Sequence, residues 1–187
     1  MNLNIKRKLP WLAVLLWMVV IFLFSAQTGG LSGDTSGSIT RWLVEHIYIG
    51  FNDLAADNQE AIMAVVHTIV RKGAHFTEFA ILAALVSNAI RAYNPKALFK
   101  WLIPIGFSAL YAVTDELHQY FVPERACRLF DVAIDTAGAI FGTAIFILIL
   151  FIITKAKNKK KPNNKMKPSK GAHSIGQNRL KKQLFAD

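Results

Sequence analysis

The chain has 187 residues, 53% of them hydrophobic and 18% charged, with 13 Phe and 4 Trp, which is too apolar for an average soluble domain. Its 22 Lys and Arg against 12 Asp and Glu leave a net charge of +10, but the cations gather at the chain ends and beside apolar runs, which argues against nucleic acid as a partner. A single cysteine, Cys127, excludes an intramolecular disulfide framework and a Cys-rich zinc module.

A membrane-crossing helix needs roughly 20 mostly apolar residues. Residues 9–26 run without a charge behind Lys6, Arg7 and Lys8. Phe24 stands where a signal-peptide cleavage site needs a small side chain, so this segment reads as an uncleaved first membrane helix. Residues 27–40 carry Gly29, Gly30, Gly33 and Gly37 among serines and predict a flexible polar linker or lid. Ile39, Trp42, Leu43 and Ile47 then recur at helical spacing, with Arg41 and Glu45 four apart, which predicts a short amphipathic helix at the outer interface. Ile62, Val65, Val66 and Ile69 keep the helical period through 59–72 and lead straight into a second membrane helix over 74–92. A third helix is predicted over 99–121 and a fourth over 131–154, the latter uncharged from 136 onward. The expectation is an all-α integral membrane four-helix bundle with an extracytoplasmic amphipathic segment over 39–72. A basic arm (1–8) and a basic, disordered tail (155–187) drawn to anionic lipid flank it.

Four spans put both termini and the segment 91–100 on one side. That side collects 17 of the 22 Lys and Arg, with Asp187 as its one acid, so both termini are expected in the cytoplasm.

With this orientation the unusual polar residues fall at one level, the outer end. Residues three or four apart on a helix share a face. Lys72, His75 and either Glu78 or Phe79 form one stripe; Asp115, His118 and Gln119 a second; Asp131, Asp135, Gly138 and Gly142 a third, whose GxxxG spacing lets another helix approach closely. Glu116 points about 100° away from Asp115 and is expected to find a different partner or to snorkel outward. His67 reads as an interface residue, and Cys127 as an exposed loop thiol. Charged residues in a span cost on the order of 3 kcal/mol each and call for a reason. One reason is structural: Lys72, Arg125 and Arg128 pair with Glu78, Asp115, Asp131 and Asp135 and hold the helices together. The other is a site for a polar head group presented by the outer leaflet.

The segments RKGAHFTEFAIL (71–82), TDELHQYFVPER (114–125) and DVAIDTAGAIFG (131–142) resemble the VanZ-like membrane protein family, as does FSAQTGGLS (24–32). The resemblance covers residues 9–153. It implies a small polytopic protein of a bacterial plasma membrane, of a family whose namesake is associated with low-level resistance to teicoplanin, and it brings no biochemical reaction with it. Carried over by position, the matching residues are Lys72, His75, Glu78, Asp115, Glu116, His118, Gln119, Arg125, Asp131 and Asp135. Ala126, Cys127 and Arg128 depart from the small residues more usual after Arg125.

Two readings stay open. In a membrane-embedded enzyme acting on a lipid-linked envelope substrate, His75 and His118 would transfer protons, Asp115 or Asp131 would orient an imidazole, and Arg125 and Lys72 would hold a phosphate or carboxylate. A metal variant would use His75, Glu78, His118 and Asp131, although no HExxH segment supports it. In a binding or shielding protein, Lys72, Glu78, Gln119, Arg125 and Asp135 would grip the head group of a membrane lipid, a lipid-linked wall precursor or a wall polymer. A transporter ranks last, because polar groups at one end give no path to the cytoplasm unless the chain self-associates. The sequence assigns no cofactor or metal and leaves homo-oligomerisation open.

Overall fold

In the computed structural model, residues 3–123, 125 and 128–160 are described. Their regular elements are all helical: α1 (Leu3–Ser25), α2 (Gly29–Ile47), a 3-10 turn at Phe51–Asp53, α3 (Ala56–Arg91), α4 (Phe99–Gln119) and α5 (Leu129–Lys160). Three of these helices, α1, α3 and α5, are long and apolar enough to cross a membrane. In α4, Lys100 at one end and Asp115 and Glu116 at the other interrupt the apolar run, so it is not among them.

The main difference from the sequence expectation is α2. The glycine-rich stretch expected as a flexible linker is helical from Gly29. Glycine weakens a helix by about 1 kcal/mol relative to alanine, so tertiary packing has to supply what propensity withholds. Buried Thr40 and Val44 supply part of that contact, and α2 packs on α3. Ile39, Trp42 and Ile47 lie on the exposed side of the same helix. The basic arm and the tail are also helical over part of their length, since α1 starts at Leu3 and α5 continues to Lys160. The rest of the tail, 161–187, and Cys127 lie outside the described residues.

The segment 59–72 runs without a break into the apolar half of α3, as its period predicted. Asp57 in the first turn and Arg91 in the last suit the helix dipole. Asn94, in the left-handed region at φ 47°, and Pro95 after it prevent the helix from continuing. Within residues 1–150, α3 is the central helix. Its Phe79, Leu82, Val86, Ala89 and Ile90 form a core with Val14 and Ile21 of α1 and Ala112 of α4. Two side chains tie the helices through backbone carbonyls: Trp17 Nε1 donates to Glu78 O at 2.9 Å and Tyr111 Oη to Met18 O at 2.7 Å. Both keep a polar tip satisfied inside an apolar bundle.

The glycines of α5 decide how closely it meets α3. A Cβ at Gly138 would run into the carbonyl of Phe76, and one at Gly142 into that of Ala80. This is the close approach the GxxxG spacing predicted, and it brings the polar outer turns of the two helices together. The second unit begins at Phe151. Its described part is the basic end of α5, where Lys155 Nζ lies 5.8 Å from the Phe151 ring centre.

Candidate functional site

The α3–α5 crossing brings two of the predicted stripes into contact. Lys72 Nζ donates to Asp131 Oδ1 at 2.8 Å and also lies 4.5 Å from the centre of the Phe130 ring. One turn deeper, His75 Nδ1 stands 3.6 Å from Asp135 Oδ1, too far for a hydrogen bond. Asp135 is fully buried, and neither of its carboxylate oxygens has a hydrogen-bond partner.

The α4 stripe divides. Asp115 is buried and accepts from Gln119 Nε2 at 2.8 Å. The ring of His118 turns away and packs on Phe22 of α1, centroids 4.6 Å apart. Glu116 finds a different partner from Asp115, as its angular position predicted: Oε2 accepts the Arg128 backbone N–H at 2.8 Å. Arg125 reaches back to the end of α1, where Nε donates to Gln27 O at 2.9 Å and Nη2 to Phe24 O at 3.2 Å. Carbonyls at a helix C-terminus lack intrahelical donors and carry partial negative charge, so a guanidinium suits them. Burial, and then the like charge of Arg71, pull the Arg125 pKa below its ordinary value; Asp115, Glu116 and Glu78 act the other way.

Two polar cavities flank α3 at this level. The first, about 270 Å³, opens among α1, α2, α3 and α4. Arg71, His75, Glu78, Asp115 and Arg125 are its charged or titratable lining, and Phe24, Ile39 and Val70 contribute its apolar wall. The second, about 240 Å³, lies between α3 and the start of α5, with His67, Arg71, Lys72 and His75 facing Arg128 and Asp131. Arg71 and His75 therefore border both, and His118 lines neither. Among the described residues, no three His, Cys, Asp or Glu side chains are grouped so that they could hold a metal ion, so His75, Glu78, His118 and Asp131 are not assembled as a ligand set.

A family model described as VanZ/LLP1 matches residues 10–151. The chain belongs to this family. The match takes in α2, α3 and α4 completely, together with both polar cavities, and leaves out the two chain ends. No curated protein and no solved structure matches the chain. The cavities of this VanZ/LLP1 protein are lined by two further cations, Arg71 and Arg128, that belong to none of the sequence stripes. Arg71 stands four residues after His67 and four before His75, so its place on their face was available from spacing. Arg128 comes to α3 through the loop before α5, and no periodicity reports such a contact.

Proposed function

We propose that this VanZ/LLP1 protein crosses a bacterial plasma membrane four times with both termini in the cytoplasm. At the outer leaflet it binds the head group of an envelope lipid or lipid-linked wall precursor and shields it, lowering susceptibility to glycopeptides of the teicoplanin type. The observation that carries this reading is the lining of the cavity among α1, α2, α3 and α4. Two guanidinium groups and an imidazole stand, with the carboxyl groups of Glu78 and Asp115, beside an apolar wall of Phe24, Ile39 and Val70, so that cations for an anionic head and apolar contacts for its chain line one cavity.

Lengths support the depth. At about 1.5 Å per residue, the 36 residues of α3 extend about 54 Å, well beyond the roughly 30 Å of a hydrocarbon core. If Arg91 marks the inner end, the core is used up near Lys72, so Arg71 and Lys72 come to the level of lipid head groups while His75 and Glu78 stand about 4 Å and about 9 Å below it. A stripe of exposed apolar residues on α4 supports the fourth span: Leu102, Leu110, Val113 and Leu117 are all more than half exposed, a surface suited to lipid rather than water.

A second reading, a membrane-embedded acid–base enzyme, draws on one observation, the half-buried His75 beside the buried Asp135 with no hydrogen bond between them. Both readings are tested together in cells expressing wild type, Arg125→Lys or Arg125→Glu at equal abundance. Shielding predicts that protection against teicoplanin is lost with Arg125→Glu and partly kept with Arg125→Lys, with identical masses of membrane lipids and wall precursors in all three. A lipid mass that forms with wild type and disappears with His75→Gln would instead establish turnover.

A further inference from the structure

The cavity between α3 and α5 has a different character from the one just discussed. Three permanent cations, Arg71, Lys72 and Arg128, line it against a single carboxylate, Asp131. Asp131 is already taken, because it holds Lys72 at 2.8 Å. Arg71 and Arg128 are left with no carboxylate within ion-pair distance among the described residues. The Arg71 charge is felt across the site as well, since it disfavours a second charge on Arg125. His67, Thr68 and His75 complete the same wall. At about 240 Å³ the space falls below the roughly 300–1,000 Å³ of sites for drug-sized ligands, so a small group fits it better than a whole antibiotic.

We propose that this cavity is a seat for a phosphate-type anion, held by the Arg71 and Arg128 guanidinium groups from α3 and the loop before α5. Guanidinium donors in a planar fork match tetrahedral phosphoryl oxygens, and the Lys72–Asp131 pair fixes the spacing of the two helices around them. The seat stands apart from the reading of the other cavity, with which it shares Arg71 and His75 but not Arg128. A free phosphate and the phosphodiester of a lipid head group present the same chemistry to it.

The test uses the full chain purified in a nonionic detergent and titrated with inorganic phosphate, dihexanoyl phosphatidylglycerol or dihexanoyl phosphatidylcholine, with binding read by calorimetry. Arg128→Gln and Arg71→Gln are compared with wild type, and Arg41→Gln, at an exposed cation of α2 that lines neither cavity, serves as the reference. Elution as a single monodisperse species confirms that each variant is folded; Gln at 128 keeps the backbone N–H that Glu116 accepts. Binding of inorganic phosphate that falls about tenfold or more with Arg128→Gln and with Arg71→Gln, and not with Arg41→Gln, establishes the seat and a free anion as sufficient. The same pattern with phosphatidylglycerol alone establishes it for a lipid head group. Failure of all three probes to bind wild type, or binding indifferent to both Arg71 and Arg128, overturns the proposal. Loss of teicoplanin protection in Arg125→Glu cells is scored separately, so either idea can fail without the other.

Discussion

Lys72 and Asp131 lie 59 residues apart in sequence and meet at 2.8 Å, and both are only partly exposed. Removing one member of such a pair leaves the other charge without its partner, which costs more than removing both. Lys72→Met and Asp131→Asn should therefore each destabilise the protein by about 1–3 kcal/mol. The double variant should recover part of that loss, a non-additivity that thermal unfolding in detergent would measure; additive effects would mean that the pair contributes no coupling. This contact was legible as a tendency, because 72, 75 and 78 on one helix and 131 and 135 on another are polar stripes at helical spacing. What the stripes could not give was which member met which. His118 shares a face with Asp115 by sequence yet packs on Phe22, while Arg125, outside any stripe, reaches carbonyls of α1 about a hundred positions earlier. Such contacts depend on how helices pack together, and spacing along one helix carries no information about that.

Between elements, the α3–α5 crossing sets the geometry of everything polar at this end. Alanine at Gly138 or Gly142 would push a methyl group against a backbone carbonyl of α3, which has no rotamer by which to yield. Each substitution should destabilise by about 1–3 kcal/mol or more, and Gly142→Val by more than Gly142→Ala. Gly106 on α4 is the internal control: nothing lies within 4 Å of a Cβ built there, so Gly106→Ala should be neutral or stabilising by up to about 1 kcal/mol. Thermal half-lives of the detergent-solubilised variants would rank them, and equal losses at positions 106 and 142 would contradict the packing argument. The crossing was readable from GxxxG spacing because a close approach needs small residues one turn apart. By contrast, α2 was hidden by its composition: four glycines among serines read locally as a linker, whereas the packing that stabilises the helix comes from α3 and leaves no local trace.

For the whole molecule, the parity of the number of membrane-crossing helices decides where the chain ends lie. If α1, α3 and α5 alone cross, the chain ends on opposite sides of the bilayer; if α4 crosses too, both ends share one side. Charge favours the second arrangement, because the tail beyond position 154 carries 11 Lys and Arg with Asp187 as its one acid, and such segments are retained in the cytoplasm. The exposed α4 stripe agrees, since Leu110 at 71% and Leu117 at 58% exposure would otherwise face water. The polar ends of α4 weigh less than its composition suggests, because Lys100 can snorkel at one interface while Asp115 and Glu116 are hydrogen-bonded at the other. In intact cells, a membrane-impermeant maleimide should therefore label Cys127, which falls between α4 and α5 in the sequence, from outside. A Ser169→Cys thiol in a Cys127→Ser background should react only after permeabilisation. Labelling of position 169 in intact cells would put the tail outside and leave three spans, and the cavities lined by Arg71 would lose their assignment to the outer leaflet together with α4's place in the bilayer.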